Sequence, residues 1–187
     1  MGNNPNLYIL NMKKIKITLL LFVVMVTQTI AQEHVEHKGH NTEGRGFRVA
    51  AVIGHTLINN ERMDNVLVPS WGLDLEYWHN HKWGIGLHND IEVETFVTRN
   101  SEGEEIERVN PLVFTLDALY QFGGGFVVTM GPGVELENKE SFFLMRLGLE
   151  YEKDITKSLY LLPSVFLDQR LDGYNSWNFG LGVGLKL

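Results

Sequence analysis

The sequence predicts an all-β fold: an eight-stranded antiparallel up-and-down transmembrane β-barrel, preceded by a signal peptide. Three observations carry this. From Phe47 onward, polar and apolar residues alternate at period two, and no window shows the i, i+3, i+4, i+7 spacing of an amphipathic helix. The alternation falls into segments near 47–58, 67–79, 83–98, 109–122, 126–137, 142–153, 158–170 and 176–187. Each exceeds the roughly 5–6 residues usual for a globular strand and satisfies the roughly 9–11 that a membrane-spanning strand needs. Short turns also alternate with longer polar connections along the chain, as outer-membrane barrels require.

The first element is the export signal. "MKKIKITLLLFVVMVTQTIAQ" has a basic start (Lys13, Lys14, Lys16), an apolar run from Ile17 to Val26, and the small residue Ala31. This predicts a signal peptide over residues 1–31, with 1–11 an over-called start because Met12 opens the signal more naturally. The apolar run is too short to span a bilayer as a helix. Removing residues 1–31 takes away three lysines and no acid, leaving 13 basic against 23 acidic residues, a net charge of −10. No cluster of Lys and Arg stands out, so nucleic-acid binding is excluded. The absence of cysteine excludes disulfides and thiolate metal sites.

Residues 32–46 follow as a His-rich tail expected to be disordered and periplasmic. In "QEHVEHKGH", His34, His37 and His40 recur every third residue with Glu33 and Glu36 between them. Neutral imidazoles among carboxylates are competent ligands for a divalent transition metal. Against that stands a solvated linker with incidental histidines. No other cofactor is required by anything in the chain.

The barrel itself is assigned to residues 47–187. "NHK" (80–82), "GGG" (123–125) and "DITK" (154–157) make tight turns, expected on the periplasmic side, and the other connections make outer loops. Tyr77, Trp78 and Trp83, then Tyr120, Phe122 and Phe126, then Tyr151 and Tyr160 flank those turns and predict an interfacial aromatic girdle. Alternation by itself leaves open which face points inward. A soluble periplasmic lipocalin-like ligand-binding barrel is the competing reading.

The hairpin "GLDLEYWHNHKWGIGLHNDIEVE" over 72–94 concentrates the chemistry. A three-residue turn at 80–82 puts Asp74, Glu76 and Trp78 on the face of His88, Gly86 and Gly84. Asp90, Glu92 and Glu94 continue that face, and Asp117, Arg146, Glu150 and Arg170 share its parity on other strands. The expectation is a lumen polar network of Asp74, Glu76, His88, Asp90, Glu92, Asp117, Arg146, Glu150 and Arg170, with a hydrogen bond between Asp74 and His88. Lys186 and Arg48 are further cations for it. The bland reading is side chains filling a narrow lumen; the sharper one is a cation-binding interior. Asn89 falls on the lipid-side parity, which predicts a bulge or an overhang there. Pro111, Pro132 and Pro163 predict bulges or strand ends. The acidic "NSEGEEIER" (100–108) reads as a solvated loop.

The last two strands, "LYLLPSVFLDQRLDGYNSWNFGLGVGLKL", with a signal ending in "AQ", resemble the small outer-membrane β-barrel (porin-like) proteins of Bacteroidetes-type bacteria. The resemblance implies outer-membrane location, contact with lipid and lipopolysaccharide, and insertion by the barrel-assembly machinery. The chain differs in ending on Leu187 rather than an aromatic residue. A lipid A-modifying enzyme of this class would need a His–x–Ser pair with a nearby acid, and no histidine here has Ser two residues later. The expected role is therefore non-enzymatic: structural, a narrow pore, or small-ligand binding.

Overall fold

Alternating side chains need two different environments, and a closed sheet supplies them. The computed structural model describes residues 44–59, 65–100 and 102–187. Its strands are β1 (Gly46–Asn59), β2 (Val66–Trp78), β3 (Trp83–Glu92), β4 (Thr95–Arg99), β5 (Glu105–Val109), β6 (Leu112–Gly123), β7 (Phe126–Leu136), β8 (Phe142–Tyr151), β9 (Lys153–Asp154), β10 (Leu159–Arg170) and β11 (Asn175–Lys186). Eight of these, β1-β2-β3-β6-β7-β8-β10-β11, pair in order, and β11 returns to β1 from Arg48↔Lys186 to Asn59↔Asn175. Every pairing is antiparallel. Closure leaves no sheet edge around the barrel, so the backbone groups are satisfied between strands.

The orientation is inside-out relative to a water-soluble barrel. Outward side chains are apolar on every wall strand from β1 to β8 and again on β11, with Ile53, Leu75, Ile85, Leu116, Met130, Leu147 and Leu181 among them and Phe143 reaching 72% exposure. Inward positions carry buried charge. This overturns the lipocalin-like alternative, in which the apolar face would line the interior.

Three turns close one end. In the first, Asn80 Oδ1 accepts from the backbone N–H of Lys82 (2.8 Å) and Trp83 (3.0 Å), which fixes the register Asp74↔His88. In the second, Gly123, Gly124 and Gly125 all have positive φ (122°, 61° and 89°), and a Cβ on Gly125 would lie 2.3 Å from the Glu152 carbonyl oxygen, so glycine is required there. In the third, Thr156 Oγ1 accepts from the N–H of Leu159 at 3.0 Å.

Several expectations change. The long third and fourth strands each break, at 93–94 and at 110–111, and the outer parts pair only with each other as the β4–β5 hairpin. The break has a local cause: Asn110 adopts φ 47° and Pro111 has no N–H, while its carbonyl accepts from Glu92 N at 3.1 Å. Glu94 is consequently exposed instead of facing the lumen. The segment 100–108 is largely hairpin rather than free loop; Asn100 Oδ1 ties its turn to the N–H groups of Glu102 and Glu104 at 3.1 and 2.9 Å. Pro132 and Pro163 sit inside strands, where one flanking ladder is interrupted: β6 pairing resumes at Gly133, and β8 pairing starts at Ser164. Asn89 needs no bulge, because its Nδ2 donates to the Leu73 carbonyl at 2.5 Å across β2–β3. His34, His37 and His40, the signal and residues 32–43 of the tail lie outside the described residues, while Gly46, the last residue assigned to the tail, opens β1.

Candidate functional site

Among the described residues, the narrow lumen is where the fold buries its charge. Nine carboxylates, four arginines and one histidine are buried there among the described residues. All nine predicted network residues are among them. The groups sort into three levels, because each strand delivers its inward residues at every second position and the hydrogen-bonded register aligns them across strands.

At the short-turn end, Arg48 pairs with Glu152 and lies 4.3 Å over the Trp78 ring. Trp78 Nε1 donates to Glu76 Oε2 at 2.6 Å. Lys186 stands at the rim, with Nζ donating to Asp154 Oδ1 at 2.5 Å. Trp78 is fully buried and packs with Leu119 and Val127, and Tyr160 packs with Ala50 and Leu162. Trp78 and Tyr160 therefore belong to a lumen seal, not to the aromatic girdle, since both fall on the inward parity. The outward girdle consists of tilted pairs: Phe47–Tyr77 (4.9 Å), Trp83–Tyr120 (4.5 Å) and Phe126–Tyr151 (4.8 Å).

The middle level centres on His88, fully buried on β3. Asp117 Oδ2 lies 2.9 Å from its Nδ1, and Glu76 Oε1 lies 3.7 Å from its Nε2. Thr115 Oγ1 donates to the same Asp117 oxygen at 2.6 Å. The expected partner is Asp74, directly across the β2–β3 ladder; the contact at 2.9 Å is instead made by Asp117 on β6, which pairs with Gly86 two residues from His88. The imidazole packs against Gly86, where a Cβ would come within 2.6 Å of Nε2. Asp74, His88 and Glu150 each bring one donor atom within 4.8 Å of the others.

In the upper part of the same middle level, Arg146 makes a fork with Asp168 (Nε–Oδ1 and Nη2–Oδ2, both 2.7 Å) and a third contact to Asp90 at 2.8 Å. Its guanidinium lies 4.7 Å over the Phe166 ring. Planar donors matched to two carboxylate oxygens make this a strong charge-assisted geometry.

The long-loop end is organised by Glu135, which accepts from Arg108, Arg170 and the Tyr174 hydroxyl (2.8 Å). Arg170 also faces Glu92 at 3.8 Å and donates to Ser176 Oγ at 2.9 Å. Arg108 comes from the β4–β5 hairpin, donates to the Glu140 carbonyl at 2.8 Å and lies 4.9 Å over Phe142. Ile58, Val68, Phe96, Phe142 and Tyr174 form an apolar seal around these ions. Outside it, Lys139 Nζ donates to Glu107 at 2.8 Å, and that carboxylate holds the exposed ammonium above its ordinary pKa.

Sequence reasoning missed Arg108, Glu135, Asp168 and Tyr174, while Glu152 falls on the polar face that Arg146 and Glu150 share. Asp168 and Glu135 were legible from parity alone, since they share faces with Arg170 and Gly133. Arg108 was not, because its placement depends on the hairpin folding over the mouth.

The arrangement is chemically a filled polar core. Charge is matched in the outer two levels and in excess in the middle one, and both ends are closed by apolar side chains.

No family model matches the sequence, and no curated protein matches it. Solved structures do. The N-terminal β-barrel domain of OprF from Pseudomonas aeruginosa aligns with a TM-score of 0.56 at 15% identity, covering 78% of this chain and 100% of that one. Neisserial surface protein A aligns with a TM-score of 0.56 at 10% identity, covering 76% and 97%. Ail, the attachment invasion locus protein of Yersinia pestis, aligns with a TM-score of 0.53 at 11% identity, covering 78% and 99%. The Bacteroidetes-type part of the sequence resemblance has no counterpart among these three. At such identities the likeness concerns architecture, and the chain has the fold of the small eight-stranded barrels found in outer membranes.

Proposed function

We propose that the protein is a non-conducting outer-membrane barrel with a structural role, its short turns in the periplasm and its longer loops outside. The observation that carries this is the apolar outer face facing solvent around the closed sheet, from Ile53 on β1 to Leu181 on β11. Exposed apolar surface on that scale has no place in water and matches the hydrocarbon layer. The girdle pairs at the short-turn end and the fold shared with OprF, Neisserial surface protein A and Ail support the same location. Lipid and lipopolysaccharide are then the surrounding partners, and the barrel-assembly machinery inserts the chain.

The non-conducting reading follows from the filled lumen and its two apolar seals. A non-enzymatic role is supported by the lipid-facing surface. His55 is the outward histidine on a described wall strand, and its cross-strand neighbours are Pro69 and Phe179, neither a nucleophile nor an acid. Fractionation tests the location: detergent-dependent extraction with heat-modifiable gel mobility is expected, and release by osmotic shock overturns it. Planar-bilayer recording tests the lumen: no conductance steps are expected, and reproducible steps from folded protein refute the closed reading.

A further inference from the structure

The lumen's charge is unevenly matched. Each arginine is committed: Arg48 to Glu152, Arg108 and Arg170 to Glu135, and Arg146 to Asp168 and Asp90. The surplus gathers at the middle level, where Asp74, Glu76, Asp117 and Glu150 stand around the single imidazole of His88. Buried carboxylates without a counter-charge are strongly disfavoured. A second observation points the same way. Glu150 Oε1 and Glu76 Oε1 have no hydrogen-bond partner, and neither nitrogen of His88 has an aligned one, although Asp117 lies within reach of Nδ1. Glu76, His88 and Glu150 are each at least 98% shielded from solvent. Such groups look for a ligand.

We propose that Asp74, His88 and Glu150 bind a divalent first-row transition ion, Zn²⁺ or Mn²⁺, in the barrel interior, with Glu76 as an additional oxygen donor. The donor set is one imidazole nitrogen with carboxylate oxygens, which suits borderline Zn²⁺ and the harder, oxygen-preferring Mn²⁺. Donors about 2.0–2.2 Å from one ion lie at most twice that far apart, and the 4.8 Å limit on this set needs only a small side-chain adjustment to reach it. Asp117, held by Thr115 Oγ1, takes the position of the carboxylate that orients a ligating histidine from behind, leaving Nε2 for the metal. Gly86 keeps the space over Nε2 free of a side chain. Because the apolar seals close both ends, the ion enters while the barrel folds and is then retained.

The site depends on the closed barrel but not on its membrane location. The test uses the mature chain with His34, His37 and His40 changed to Ala, so that the tail contributes nothing. The protein is folded into detergent micelles with Zn²⁺ or Mn²⁺ present, passed through chelator, and its metal content measured on the heat-modifiable band. About one equivalent of one of these ions per folded barrel is expected, falling at least tenfold in Asp74→Asn/Glu150→Gln, whose near-isosteric changes preserve packing. Folded protein with less than a tenth of an equivalent of either ion overturns the proposal. So does equal content in the double variant. Should the double variant fail to give the folded band, Glu150→Gln alone carries the same comparison.

Discussion

Arg146 is the most consequential buried ion, and its removal tests whether the lumen is dry. It is 1% exposed and contacts Asp168 twice at 2.7 Å and Asp90 once at 2.8 Å. Arg146→Met keeps an unbranched apolar stem but removes the guanidinium, with its stacking on Phe166, and leaves two carboxylates without a counter-charge. Breaking a buried pair in this way costs about 3–5 kcal/mol, because the orphaned charge cannot recover its hydration. That corresponds to roughly two to four decades in the unfolding equilibrium. The assay is urea-induced unfolding of the barrel folded in lipid vesicles, followed by the heat-modifiable gel shift and tryptophan fluorescence. The triple variant Arg146→Met/Asp90→Asn/Asp168→Asn removes the charges together and should return to within about 2 kcal/mol of the parent, since amides are far cheaper to bury than carboxylates. A loss below about 1 kcal/mol for Arg146→Met would mean that water reaches Asp90 and Asp168. Failure of the triple variant to recover would mean that the arginine acts through shape rather than charge. Either result refutes the dry-lumen reasoning.

Three further outcomes follow from the same geometry. Glu135→Gln removes the charge that joins Arg108, Arg170 and Tyr174. The β4–β5 hairpin should then lift, and limited proteolysis at 100–104 should accelerate at least tenfold with the barrel intact. Gly148→Ala places a Cβ 2.2 Å from Phe166 Cδ1 and 2.4 Å from Thr129 Oγ1, and should cost about 1–3 kcal/mol in the same urea assay, part of it restored by Phe166→Leu. Leu116→Arg puts a charge on the outward face of β6, where Leu116 is 59% exposed, and should cost about 2–4 kcal/mol in vesicles near the midplane. An unchanged midpoint for Leu116→Arg would show that this face does not meet lipid.

The division between chain and fold is sharpest in the 72–94 hairpin. Its register was legible because a three-residue turn with Asn80 at its start leaves one pairing that keeps Asp74, Glu76 and His88 on one face. The number of wall strands and the parity of all nine network residues were legible for the same local reason: side chains alternate along any extended chain. Three things were not. Which face is inside depends on the direction in which the sheet curves, and both directions satisfy the same alternation. Partner choice depends on closure, which joins Arg48 to Glu152 across 104 residues and Arg146 on β8 to Asp90 on β3, whereas Asp168 faces Arg146 directly across the β8–β10 ladder. The broken outer ends of the third and fourth strands depend on the φ of Asn110 and on Arg108 finding Glu135 beneath it. Periodicity is written residue by residue, whereas the counter-charge for a buried group is supplied by whatever strand the closed barrel brings opposite.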